Sequence, residues 1–105
     1  MSLESFSGIF EWIAKKNPEF RARLEQEKLL LLWPEAVGKL ISKHARATRI
    51  KGDTLFVECD HPVWKTELHF QKQKVLENLK TTFVKKGGDP SKFLIRELWL
   101  SAPFD

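Results

Sequence analysis

Residues 46–59 constrain this chain more than any other stretch. Residues 54–59 alternate strictly, so Leu55, Val57 and Cys59 fall on one face of a strand and Thr54, Phe56 and Glu58 on the other. Just before them, Lys51-Gly52-Asp53 supplies a turn, and residues 46–50, with Thr48 and Ile50, fit a preceding strand. A hairpin with one apolar face cannot stand alone in water, so the remainder of the chain must supply its cover and a further strand. Asp60-His61-Pro62 reads as a helix start, with a carboxylate near the positive end and proline in the first turn. The helical pattern continues to about Lys86. Trp64, Leu68, Val75, Leu76, Leu79 and Phe83 share an arc of roughly 120° on it. Gly87-Gly88-Asp89-Pro90 ends that helix, and residues 93–100 read as a third strand.

The N-terminal part is helical in pattern. Leu3, Phe6, Phe10, Ile13 and Ala14 recur at helical spacing over residues 3–16, and Asn17-Pro18 interrupts them. A second helix runs through Phe20, Leu24 and residues 29–32. Pro34 is expected to kink or restart it before it resumes through Val37, Leu40 and Ile41 to end near His44. The order α-α-β-β-α-β predicts an α+β fold. In it a three-stranded sheet is covered by helices on one face, within one domain over residues 1–105.

Charge and aromatic content frame the function. The chain has 18 basic and 14 acidic residues, a net charge of +4 that favours polyanionic partners. It carries eight Phe and four Trp but no Tyr, more large rings than 105 residues can hide, so some must reach the surface. Cys59 is the single cysteine, which rules out an internal disulfide and fits a reducing cytoplasm. No apolar run reaches the roughly 20 residues that span a bilayer, and no secretory leader is expected.

Catalytic chemistry is not expected. Cys59, His61 and His69 supply too few ligands for zinc, and His61 and His69 lie two turns apart on one helix. There is no phosphate-cradling glycine loop of the P-loop kind. The chain reads as a binding module without metal or cofactor. If Leu55 and Val57 face the helices, Phe56 faces the open side of the sheet. Leu94, Leu98 and Leu100 are expected to point inward on the third strand, and Ile95, Glu97 and Trp99 outward. On the first strand Ile50 points in, while Arg49 and Lys51 point out. Phe56 and Trp99 with Arg49 and Lys51 make a sequence-tolerant platform for single-stranded nucleic acid, since any base can stack and any phosphate can pair. Lys43 and Arg46, leading into the first strand, extend the basic set. Phe70 and Lys74 lie nearly opposite the buried stripe of the long helix and suit a partner contact. Trp33 and Trp64 read as core, and Gly38 as a site of close helix approach. The rival reading is a protein-interaction module that uses the apolar sheet face to dimerise or dock a partner, without nucleic acid.

The ordered run Trp33-Pro34-Glu35-Ala36-Val37-Gly38, Ile41, His44, Gly52-Asp53-Thr54-Leu55-Phe56-Val57 and Trp64-Lys65-Thr66-Glu67-Leu68 resembles the core of the DciA family. These are bacterial loaders of the DnaB-type replicative helicase. The resemblance covers most of the chain and is strongest over residues 29–80. It implies a KH-like fold, binding of single-stranded or forked DNA with weak sequence specificity, contact with the replicative helicase, and no ATP hydrolysis. The Gly-x-x-Gly loop of KH modules is absent, which argues against their usual backbone clamp. Many family members carry a further C-terminal tail that contacts the helicase, whereas this sequence stops at Asp105. DNA binding is therefore implied more directly than helicase loading.

Overall fold

The computed structural model describes residues 12–13 and 15–103. The helix expected over residues 3–16 lies almost wholly outside them, although residues 12, 13, 15 and 16 are helical. Asn17 starts the next helix, its Oδ1 accepting from the amides of Glu19 at 3.1 Å and Phe20 at 3.2 Å. This helix, α1, spans Pro18–Val37, and the short α2 spans Lys39–His44. Strands β1 (Ala45–Lys51) and β2 (Thr54–Cys59) follow, then helices α3 (Pro62–Phe70) and α4 (Lys72–Lys85). A 3₁₀ turn at Pro90–Lys92 leads to β3, Glu97–Ser101. The sheet order is β1-β2-β3, with β1 antiparallel and β3 parallel to β2. The architecture is α+β with a three-stranded mixed sheet, compatible with a small KH-like domain.

One apolar core joins the layers. Leu55, Val57 and Cys59 from β2 and Leu98 from β3 meet Leu68 of α3, then Val75, Leu76, Leu79 and Phe83 of α4, and Leu29, Trp33 and Ala36 of α1. Leu55, Val57, Leu68 and Leu79 are almost wholly enclosed. Removing water from such side chains stabilises by roughly 1.5–3 kcal/mol each. Trp33 anchors α1 to the sheet, because its indole N–H donates to the Ala45 carbonyl at 2.9 Å inside the core. A ring that large, buried with its polar atom satisfied, sets where β1 begins.

Five sequence expectations need correction. Pro34 does not divide α1, which passes through it; burial of Trp33 and Ala36 on either side offsets the lost backbone donor. The break falls instead at Gly38, whose φ of 89° and ψ of 168° lie in a region open essentially to glycine alone. A side chain there would meet no atom within 4 Å, so the requirement is backbone geometry and not close helix approach. The long helix is two helices, parted at Gln71 with φ −97° and ψ 13°. Its N-cap is His61, whose Nδ1 accepts from the Val63 amide at 3.1 Å. Asp60 turns away to His44, 2.9 Å from its Nδ1.

The fifth correction concerns the third strand, which begins at Glu97 and not at Phe93. Thr54, the first residue of β2, pairs with Glu97, and before it comes the hairpin turn, so residues 93–96 have no strand to join. Arg96 and Glu97 donate instead to the Asp53 carbonyl, at 2.8 and 3.2 Å. Freed from alternation, Ile95 is buried and Leu94 exposed, the reverse of the expectation, while Leu98 faces in and Trp99 out as expected. No described helix is long and apolar enough to cross a membrane.

Candidate nucleic-acid interface

The sheet face away from the helices is built from three cross-strand rows. Lys51, Thr54 and Glu97 form one, Arg49, Phe56 and Trp99 the next, and Arg46, Glu58 and Ser101 the third. The middle row is tightly organised. The Arg49 guanidinium lies 4.4 Å over the Phe56 ring, and the Phe56 and Trp99 centroids are 6.3 Å apart, tilted by 43°. Trp99 is 61% exposed, so most of its ring is available to a ligand. Together these side chains line a shallow concavity of about 380 Å³.

A β-bulge accounts for the cations. Ala47 pairs with Val57 and Arg49 with Phe56, leaving Thr48 as an extra residue in β1. Unbroken alternation would place Arg46 on the face opposite Arg49, since they lie three positions apart, an odd number. The bulge shifts the phase by one, and Arg46, Arg49 and Lys51 all emerge on the open face. Alternation within residues 46–50 gives no hint of this; only the pairing register reveals it.

Charge is partly neutralised within the face. Arg46 reaches Glu58 at 3.3 Å, an exposed pair of small energetic weight. Glu97 is held by Lys72 of α4 at 2.5 Å. That hydrogen bond, and a second from the Leu98 amide, keep the Glu97 carboxyl below its ordinary pKa. Arg49 and Lys51 have no carboxylate partner among the described residues and stay available for external anions. Lys43, exposed in the last turn of α2, lines a smaller concavity with Arg46 and Glu58 and so extends the basic edge beyond the sheet.

Phe70 and Lys74 stand apart from these rows. Phe70 ends α3 and is 80% exposed, with the His69 ring edge-on at 6.2 Å. Lys74 is exposed on α4, past the break at Gln71. Phe70 and Trp99 border a second concavity on the outer side of β3. Among the described residues no group of three or more His, Cys, Asp or Glu gathers as a metal site. Cys59 is buried beneath the sheet.

Helices packed on one side of a small mixed sheet, with cations and rings gathered on the other, define a KH-like α+β module with a basic-aromatic face. The chain belongs to the family described as Dna[CI] antecedent, DciA, which it matches over residues 6–86. That family is associated with loading of the DnaB-type replicative helicase and is not known as a family of enzymes. The chain is also similar to a UPF0232 protein of Corynebacterium glutamicum (strain R), 38% identical over 45 residues. The similar stretch spans 43% of this chain and 25% of that protein.

Proposed function

We infer that the open sheet face binds single-stranded or forked DNA with little sequence preference, and that the chain thereby recruits or assists the replicative helicase. The Arg49-Phe56-Trp99 row carries this reading, because it offers stacking surface and unpaired positive charge on adjacent strands. Bases stack on Trp99 and Phe56 whatever their identity, and Arg46, Arg49, Lys51 and Lys43 neutralise the phosphates that follow. The helicase contact is carried over from family membership, and the exposed Phe70 with Lys74 is our candidate surface for that partner.

Fluorescence anisotropy of labelled single-stranded and forked oligonucleotides at two salt concentrations tests the DNA reading. Binding should weaken steeply with salt, with a slope of about 0.7 per neutralised phosphate on a single strand. Arg46→Glu with Arg49→Glu should lower affinity by about tenfold or more and flatten that slope. Unchanged binding by the double variant would remove this face from the interface.

A further inference from the structure

The concavity of about 380 Å³ on the open face holds a carboxylate as well as rings and a cation. Its polar lining is Thr48, Arg49, Glu58 and Ser101. The Arg49 guanidinium covers one face of Phe56, which leaves Trp99 as the more open ring. Glu58 stands diagonally across from that ring. Phe56 pairs with Trp99 and Glu58 with Ser101, so Glu58 and Trp99 lie two residues and one strand apart, roughly 8 Å. A base lying on the indole bridges that distance with its polar edge. Glu58 can meet such an edge. Arg46 reaches only its Oε2, at 3.3 Å, and the other oxygen has no hydrogen-bond partner among the described residues. The Thr48 hydroxyl already donates to the Phe56 carbonyl, at 3.3 Å. Glu97, the other carboxylate on this face, lies outside the concavity, with its Oε1 held by Lys72 and the Leu98 amide.

We propose that Glu58 reads the base stacked on Trp99, favouring a base with an exocyclic amine over thymine or uracil. Stacking is indifferent to base identity, but a carboxylate is not. An ionised carboxylate only accepts. Cytosine, adenine and guanine each carry an amine that donates to it, whereas thymine and uracil place a carbonyl oxygen where cytosine has its amine. The inference rests on the open face binding single-stranded DNA, and it adds a preference at one position to binding that is otherwise tolerant. Affinity alone does not account for this carboxylate. It neutralises Arg46 and turns negative charge toward the incoming phosphates, which weakens their binding. Its contribution is to the choice of base and not to the strength of the contact.

The test compares labelled oligo-dC and oligo-dU of equal length by fluorescence anisotropy, at mildly alkaline pH where cytosine is unprotonated. The two bases differ only by an amine in place of a carbonyl and the ring proton that goes with it. Oligo-dC should bind about fivefold more tightly. Glu58→Gln, an isosteric change at an exposed side chain, should tighten both oligonucleotides, because a negative charge goes and Arg46 is released. Its amide can accept or donate, so the dC-to-dU preference should fall to about one. Arg46→Gln should weaken both and keep the preference. Equal binding of oligo-dC and oligo-dU by the unmodified protein would overturn the proposal and leave the open-face reading intact. A preference that survives Glu58→Gln would overturn it too, since the discrimination would lie elsewhere. So would a preference lost in Arg46→Gln, which would make the guanidinium the reader. Binding of neither oligonucleotide at low salt would overturn the open-face reading and this proposal with it.

Discussion

On the helix side of the sheet, Leu55, Val57, Cys59 and Leu98 are between 1% and 4% exposed. One residue along the same strands, Phe56 is half-buried and Glu58 and Trp99 stand in solvent. The two faces share a backbone and alternate by sequence position, yet different requirements set their composition. The inner face must exclude water and fill space, which any apolar set of suitable volume does. The outer face has no packing partner among the described helices, and still it gathers two rings and three cations with a bulge to bring them into phase. Burial accounts for the first pattern. It does not account for the second, which is why function is sought there.

The sharpest way to break this comparison is to substitute neighbouring residues of β2 and β3 that face opposite ways. Leu55→Ala should cost about 2–5 kcal/mol in urea unfolding, through lost transfer energy and an unfilled cavity. DNA affinity of the fraction that remains folded should not change. If affinity fell with stability intact, Leu55 would not be the structural residue its burial implies.

Trp99→Ala is the reciprocal experiment. Loss of one stacking platform should weaken single-strand binding by about 1–3 kcal/mol. Stability should shift by much less than for Leu55→Ala, because the ring is mostly in solvent. A destabilisation equal to that of Leu55→Ala would make the Phe56-Trp99 contact a packing element, and the two faces would differ only in degree.

How far the sequence anticipates this arrangement follows from which forces are local. The hairpin, the inward set of β2 and the burial of Trp33 are readable because alternation and helical spacing record burial directly. The placement of Phe56, Trp99, Arg49 and Lys51 on one face follows from the same rule. What the rule misses depends on partners distant in sequence. Arg46 joins that face only through the extra residue Thr48 in the pairing with β2. Leu94 and Ile95 exchange roles because β2 begins only after the hairpin turn, at the residue that pairs with Glu97, and so offers them no strand. The break at Gln71 carries neither Gly nor Pro, so the two helices read as one. Pro34 misleads in the opposite sense, since tertiary burial on both sides overrides its local cost.

The smallest expected effect lies at the seam between the two faces. Glu97 sits on the outer side of β3 yet is tied by Lys72 to the helical layer. Its carboxyl is held below the ordinary value first by the Lys72 hydrogen bond and then by the Leu98 amide. A depressed folded pKa means that the stabilisation is complete above the unfolded value, about 4.3, and is lost as pH falls through the folded one. Glu97→Gln should therefore flatten the fall in unfolding stability between about pH 5 and pH 3, while leaving a slightly less stable protein at neutral pH. The change should be small and should shrink further in high salt, because the pair is open to water. An acid transition as steep in Glu97→Gln as in the unmodified protein would show that the tie adds nothing to stability. The outer face would then be energetically independent of the layer beneath it.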